Sequence, residues 1–195
     1  MPQYLKLFLA LAAIYLCIIA RWGYEYGRND QLQIISYAMQ MNDKSLFLKD
    51  PYVQGISEKV PNERYVFTRF MAFFGDYMPE ASMVLHFGVT LFLLLVLFRI
   101  GKKFIENDYL VWLALLVLFV PLYGFNLGGN ELYYNTFFVS TPAKAIGLYG
   151  LLLFLKDRYA PAFLIFGLAA VLQPCLLYTS PSPRDLSTSR MPSPA

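Results

Sequence analysis

Two long stretches of hydrocarbon decide what this chain can become. Residues 4–20 carry no charge but Lys6, and residues 81–98 hold one ionisable side chain, His86. Each is close to the roughly 20 residues that cross a bilayer core. Residues 109–125, residues 142–155 with Lys144, and residues 159–174 extend the pattern. Hydrophobic residues make up 57% of the chain, against about 45–50% in a soluble domain, and the excess sits in these blocks. The expected fold class is all-α: a polytopic transmembrane helix bundle of about five spans, near 4–22, 81–98, 109–125, 142–155 and 159–174. A cleaved signal peptide is the other reading of the first run. That run is long for a signal core and no small-x-small site precedes Arg21, so a retained helix is expected.

The net charge of +3 is small and makes no case for a nucleic-acid partner. Membrane lipid is the expected partner. The two cysteines, Cys17 and Cys175, do not make a disulfide framework, and Cys17 reads as a buried packing thiol. The chain has no Gly-rich phosphate loop, Cys/His metal pattern or Gly-x-Ser-x-Gly. Its spans carry almost no charge, which argues against a proton pump or a voltage sensor.

The tail, residues 175–195, reads as translated sequencing adaptor. The transposase mosaic end TGT CTC TTA TAC ACA TCT encodes residues 175–180, and CCG AGC CCA CGA GAC encodes 181–185. Residues 186–188 would span the sample barcode, and TCT CGT ATG CCG TCT gives 189–193, with Pro194 one base from the expected Ser. A Ser/Pro-rich disordered tail is the alternative. On the adaptor reading the tail is excluded from fold reasoning, and residues 1–174 are the N-terminal part of a longer membrane domain. A genomic clone encoding the same tail would refute it.

Residues 23–80 form the one long polar insert and hold most of the acidic residues. Asn29-Asp30 is a helix start, with Asp30 accepting backbone N–H bonds. Leu32, Ile34, Ile35, Ala38 and Met39 then give a helical apolar stripe to about Met41. Asp50-Pro51 and Gly55 read as breakers. Pro61-Asn62 opens a second helix with Tyr65, Val66, Phe70, Phe73 and Phe74 on its apolar face, to about Tyr77. Such helices lie in the membrane interface. Met78-Pro79-Glu80 ends the loop. Lys6, Arg99, Lys102, Lys103, Lys156 and Arg158 fall on one side if the spans alternate. That places the N-terminus in the cytoplasm and residues 23–80 outside, in an inner (plasma) membrane.

The candidate catalytic residue is Asp30, at the outer face just after the first span, where an acid can take a proton from an acceptor hydroxyl or hold a metal. Helix capping explains it equally without chemistry. Asp43 and Asp50 are candidate second acids, or plain turn residues. Arg64 and Arg69 suit recognition of a donor phosphate, or contact lipid headgroups. His86 is a functional suspect as an intramembrane ionisable group, but near a helix end it is a tolerable structural residue. Lys144 is expected to snorkel to the headgroups. Glu131, Tyr133 and Tyr134 are candidates to line an outer cavity. No cofactor is assigned, and no metal ligand set is read from the sequence.

One span, a long outer loop with an acid near its start and interfacial helices, then several spans with short connectors: this layout resembles the C-type (GT-C) membrane glycosyltransferases. The stretch Asn-Asp-Lys-Ser-Leu-Phe-Leu-Lys-Asp-Pro at 42–51 is similar to a loop in bacterial members of that superfamily. The resemblance covers residues 4–174. It implies transfer of a sugar from a polyprenyl-phosphate carrier to an acceptor at the outer face, with Asp30 in the place of the loop acid. Where the family has paired acids this chain has Asn29-Asp30, so a divalent metal is not supported. The rival class is a non-enzymatic multi-span protein, a transporter or scaffold.

Overall fold

The computed structural model describes residues 2–28, 30–60, 62, 64–121 and 132–174, and among them there are helices and turns but no strand. The first helix, α1 (Gln3–Trp22), buries Leu11, Ile14, Tyr15 and Ile18. That spacing is one stripe of a 3.6-residue repeat. Cys17 lies about 100° round the axis from Ile18 and is exposed, so it is not the buried packing thiol expected.

Within residues 23–80 lie α2 (Asp30–Asn42), α3 (Pro51–Glu58), α4 (Tyr65–Ala72) and a 3-10 turn, Gly75–Tyr77. Ile34 and Ala38 of α2 pack with Phe67 and Met71 of α4 in one apolar cluster. The helix α3 corrects the expectation of a break at Asp50-Pro51. Asp50 caps it, accepting from the N–H groups of Tyr52 and Val53 at 2.9 and 3.1 Å. Pro51 sits in the first turn, where its missing N–H costs nothing. The second expected loop helix is real but shorter, since it gives way to the 3-10 turn before Tyr77.

The long helix α5 (Met78–Phe104) packs along α1. It begins at Met78-Pro79-Glu80, which opens the helix instead of ending the loop. Proline is favoured at a first turn, and Glu80 meets the positive end of the helix dipole. Its 27 residues run about 40 Å. Two segments, Gln3–Trp22 and Gly75–Phe104, are long and apolar enough to cross a membrane.

Next comes α6 (Asp108–Phe119), capped by the Asn107 side chain on the N–H of Tyr109. The Trp22 indole N–H donates to the Val120 carbonyl at 2.9 Å, so the far ends of α1 and α6 meet. Residues 122–125 of the expected third span lie outside the described residues. The last two helices, α7 (Ser140–Phe154) and α8 (Tyr159–Leu172), form a tight hairpin. Its turn puts Asp157 at φ +58° and returns the N–H groups of Lys156 and Arg158 to the Leu153 carbonyl. Gly150 lets α7 and α8 close: a Cβ there would lie 3.0 Å from the Phe166 ring. Small residues at such contacts are the habit of helices packed in lipid.

Outward faces stay greasy. Phe8, Leu16, Val84, Leu113, Leu164 and Val171 are all exposed. Monomeric soluble proteins rarely leave so continuous an apolar surface uncovered.

Candidate functional site

One end of the packed helices is closed by the stretch before α2 and by residues 132–139. The Glu25 N–H donates to the Asn135 carbonyl at 2.9 Å. Gln31 is buried; its amide donates to the Phe137 carbonyl at 2.8 Å and its oxygen accepts from the Gly27 N–H at 2.7 Å. Both ends of that side chain are used, so the first turn of α2 is fixed in place.

Asp30 is the first residue of that turn and is exposed. It is already helical, so it is not the cap. The cap position is residue 29, outside the described residues. The Asp30 side chain takes no hydrogen bond from a described residue, which leaves its carboxylate available, whereas a capping role would have occupied it.

Arg64 approaches the same place from the start of α4. Its guanidinium donates to the Tyr52 hydroxyl at 2.6 Å and to the Gln33 side-chain oxygen. The Tyr52 hydroxyl in turn donates to that Gln33 oxygen at 2.6 Å. This triangle ties α2, α3 and α4 together and holds Arg64 beside α2. Asp30 and Arg64 thus line one recess of about 110 Å³, with Ile34, Phe138, Val139 and the chain at Leu172, Gln173 and Pro174. The ion pairs Arg28–Glu25 and Lys102–Asp108 do not include Asp30.

The other candidates fall elsewhere. Arg69 is exposed on α4 and does not line the recess. Five residues along a helix is about 140° of rotation, so Arg69 points away from Arg64. Asp50 is spent as the cap of α3. Asp43 accepts from the Ser45 N–H and hydroxyl at 2.9 and 2.7 Å. Those bonds hold its carboxyl below the usual range. Neither acid reaches Asp30's recess. Among the described residues no three His, Cys, Asp or Glu side chains gather as a metal would need.

His86 is fully buried in α5. Its Nε2 is 2.9 Å from the Tyr134 carbonyl and its Nδ1 is 3.1 Å from the Tyr15 hydroxyl. A carbonyl only accepts, so Nε2 carries the proton and Tyr15 donates to Nδ1. Ser82, His86 and Thr90 are four apart and all fully buried, so α5 turns one polar stripe inward. Lys144 is half-buried, and its ammonium lies 4.5 Å from the centre of the Tyr134 ring, a cation–π contact. Tyr133 is buried among His86 and Phe119 instead of lining an outer cavity. Glu131 lies outside the described residues.

Sequence reasoning missed Gln31, Gln33 and Tyr52, which position Asp30 and Arg64. Their polarity in an amphipathic loop was ordinary, and no local signal marked them. It also missed that residues 172–174 come back to the recess. No family model, curated protein or solved structure matches the chain.

Proposed function

We propose that the chain belongs to a multi-pass membrane glycosyltransferase of the C type, moving a sugar from a polyprenyl phosphate to an acceptor hydroxyl at the outer face. One observation carries this reading. Asp30 and Arg64, singled out from the sequence as base and phosphate partner, line a single recess although 34 positions separate them.

In the proposed reaction Asp30 takes the proton of the acceptor hydroxyl as its oxygen attacks the anomeric carbon. The bond from that carbon to the phosphate oxygen breaks, and the electron pair leaves with the lipid phosphate. Arg64 offsets the charge that builds there. The recess is well under the roughly 300–1,000 Å³ of a ligand pocket. It seats the phosphate and the reacting hydroxyl, and the polyprenyl chain stays in lipid.

The membrane placement follows the same logic. The five apolar helices α1, α5, α6, α7 and α8 alternate in direction as spans. Lys6 and Arg99 share one end, while Trp22, Val120 and the Asp30 recess share the other. The basic end is cytoplasmic by the excess of Lys and Arg, and residues 23–80 lie outside an inner membrane. With 12 and 14 residues, α6 and α8 are about 18 and 21 Å long. The bilayer thins to meet them.

A non-enzymatic scaffold is favoured by one fact, that Arg64 is already bonded to Gln33 and Tyr52. Turnover of a polyprenyl-phosphate-linked sugar by the full-length protein in membranes separates the two. Asp30→Asn is expected to lower turnover about 10²–10⁴-fold. Equal turnover in the wild type and Asp30→Asn removes Asp30 from the mechanism, and no turnover in either leaves the scaffold.

A further inference from the structure

A second cavity lies at the other end of the same helices. It measures about 510 Å³ and is lined by Lys6 of α1, Arg99 and Lys102 of α5, and Asp108 and Trp112 of α6. Its size is in the roughly 300–1,000 Å³ range of ligand sites. The charges do not cancel. Lys102 is engaged by the Asp108 carboxylate and by the Glu106 carbonyl. Lys6 and Arg99 are exposed and have no acidic partner among the described residues, so the cavity holds a surplus of two positive charges.

The rest of its wall is largely apolar. The Trp112 ring stacks on Phe98, with centroids 4.2 Å apart and planes 24° from parallel. Leu7, Ala10 and the polar Gln3 of α1 complete the lining. Exposed Phe8, Leu9, Leu110 and Leu113 continue the apolar surface on α1 and α6. A free phosphate would use the cations and leave these surfaces bare. A phospholipid uses both: its headgroup phosphate meets Arg99, whose planar fork matches phosphate oxygens, and its acyl chains follow the greasy faces. Tryptophan at such a rim sits where ring and headgroup meet.

We infer that the cavity between α1, α5 and α6 is a binding site for the headgroup of an anionic phospholipid, held by Lys6 and Arg99. The inference rests on the membrane reading but not on sugar transfer. Such basic pockets between spans are the structural form that lipid-headgroup recognition takes on the cytoplasmic side.

The test uses the full chain in phosphatidylcholine vesicles containing brominated phosphatidylglycerol, with quenching of Trp112 as the readout and Trp112→Phe to subtract Trp22. Brominated phosphatidylglycerol is expected to quench Trp112 at lower mole fraction than brominated phosphatidylcholine. Lys6→Gln and Arg99→Gln should each weaken that preference about five-fold, while Arg99→Lys, which keeps the charge but not the fork, should weaken it less than Arg99→Gln and shows that the fold is intact. Equal quenching by the two lipids, or a preference that survives Lys6→Gln with Arg99→Gln, overturns the site. In lipid-free detergent, inorganic phosphate should leave Trp112 emission unchanged. A shift that depends on Lys6 and Arg99 assigns the cavity to soluble phosphate and overturns the lipid. A chain that enters neither kind of vesicle overturns the membrane reading along with the site, whereas entry without preference overturns the site alone.

Discussion

The Tyr15 hydroxyl on α1 donates to Nδ1 of His86 on α5 across 3.1 Å, 71 positions away in the chain. His86 passes the connection on, donating from Nε2 to the Tyr134 carbonyl. One imidazole therefore joins two long helices to the segment, residues 132–139, that closes one end of them. Tyr15→Phe removes one bond and leaves Nδ1 unpaired; it should cost about 1–2 kcal/mol. His86→Leu removes both the bond from the Tyr15 hydroxyl and the bond to the Tyr134 carbonyl, and should cost more, about 2–4 kcal/mol. Unfolding by denaturant in detergent reads both. Equal losses would mean that the Tyr134 bond contributes nothing.

Asp50 caps α3. Asp50→Ala frees the N–H groups of Tyr52 and Val53 and should cost about 1 kcal/mol. The damage should be local, as faster amide exchange over residues 51–58. Asp50→Asn, which keeps an acceptor oxygen, should restore protection. If Asp50→Asn instead abolished sugar transfer with the helix intact, the carboxylate would be part of the chemistry after all.

Burial pushes the Tyr24 phenol up to about 12 from an ordinary 10.0. Between those values the unfolded chain gives up a proton that the folded chain keeps. The Tyr24 contribution to stability is therefore flat well below pH 10 and falls as pH rises toward 12. Tyr24→Phe should flatten that alkaline slope while leaving neutral-pH stability within about 1 kcal/mol. An unchanged slope would show that some other group sets it.

The helices were legible where a long physical pattern repeats. The stripe Leu11, Ile14, Tyr15 and Ile18 announces α1, and Leu32 to Met39 announces α2. Local chemistry misled at helix starts. Asp50-Pro51 and Met78-Pro79-Glu80 have the same composition whether they break a helix or begin one. What decides is whether an apolar face follows and finds something to pack on. Asp30 and Arg64 were legible as candidates from their types and places in the chain, an acid soon after the first apolar run and an arginine at the start of a loop helix. Their meeting was not legible. It depends on Gln31 bonding to Phe137 and Gln33 to Tyr52, contacts that span the fold and leave no periodic mark.

The account depends on the two ends of the helices lying on opposite sides of a bilayer. In a background carrying Cys17→Ser and Cys175→Ser, single cysteines are introduced as Asp30→Cys and Lys103→Cys. Intact cells are treated with a membrane-impermeant maleimide. Position 30 is expected to label at once, and position 103 only after the membrane is opened. Labelling of position 103 in intact cells with protection of position 30, or equal labelling of both from a soluble fraction, would contradict it.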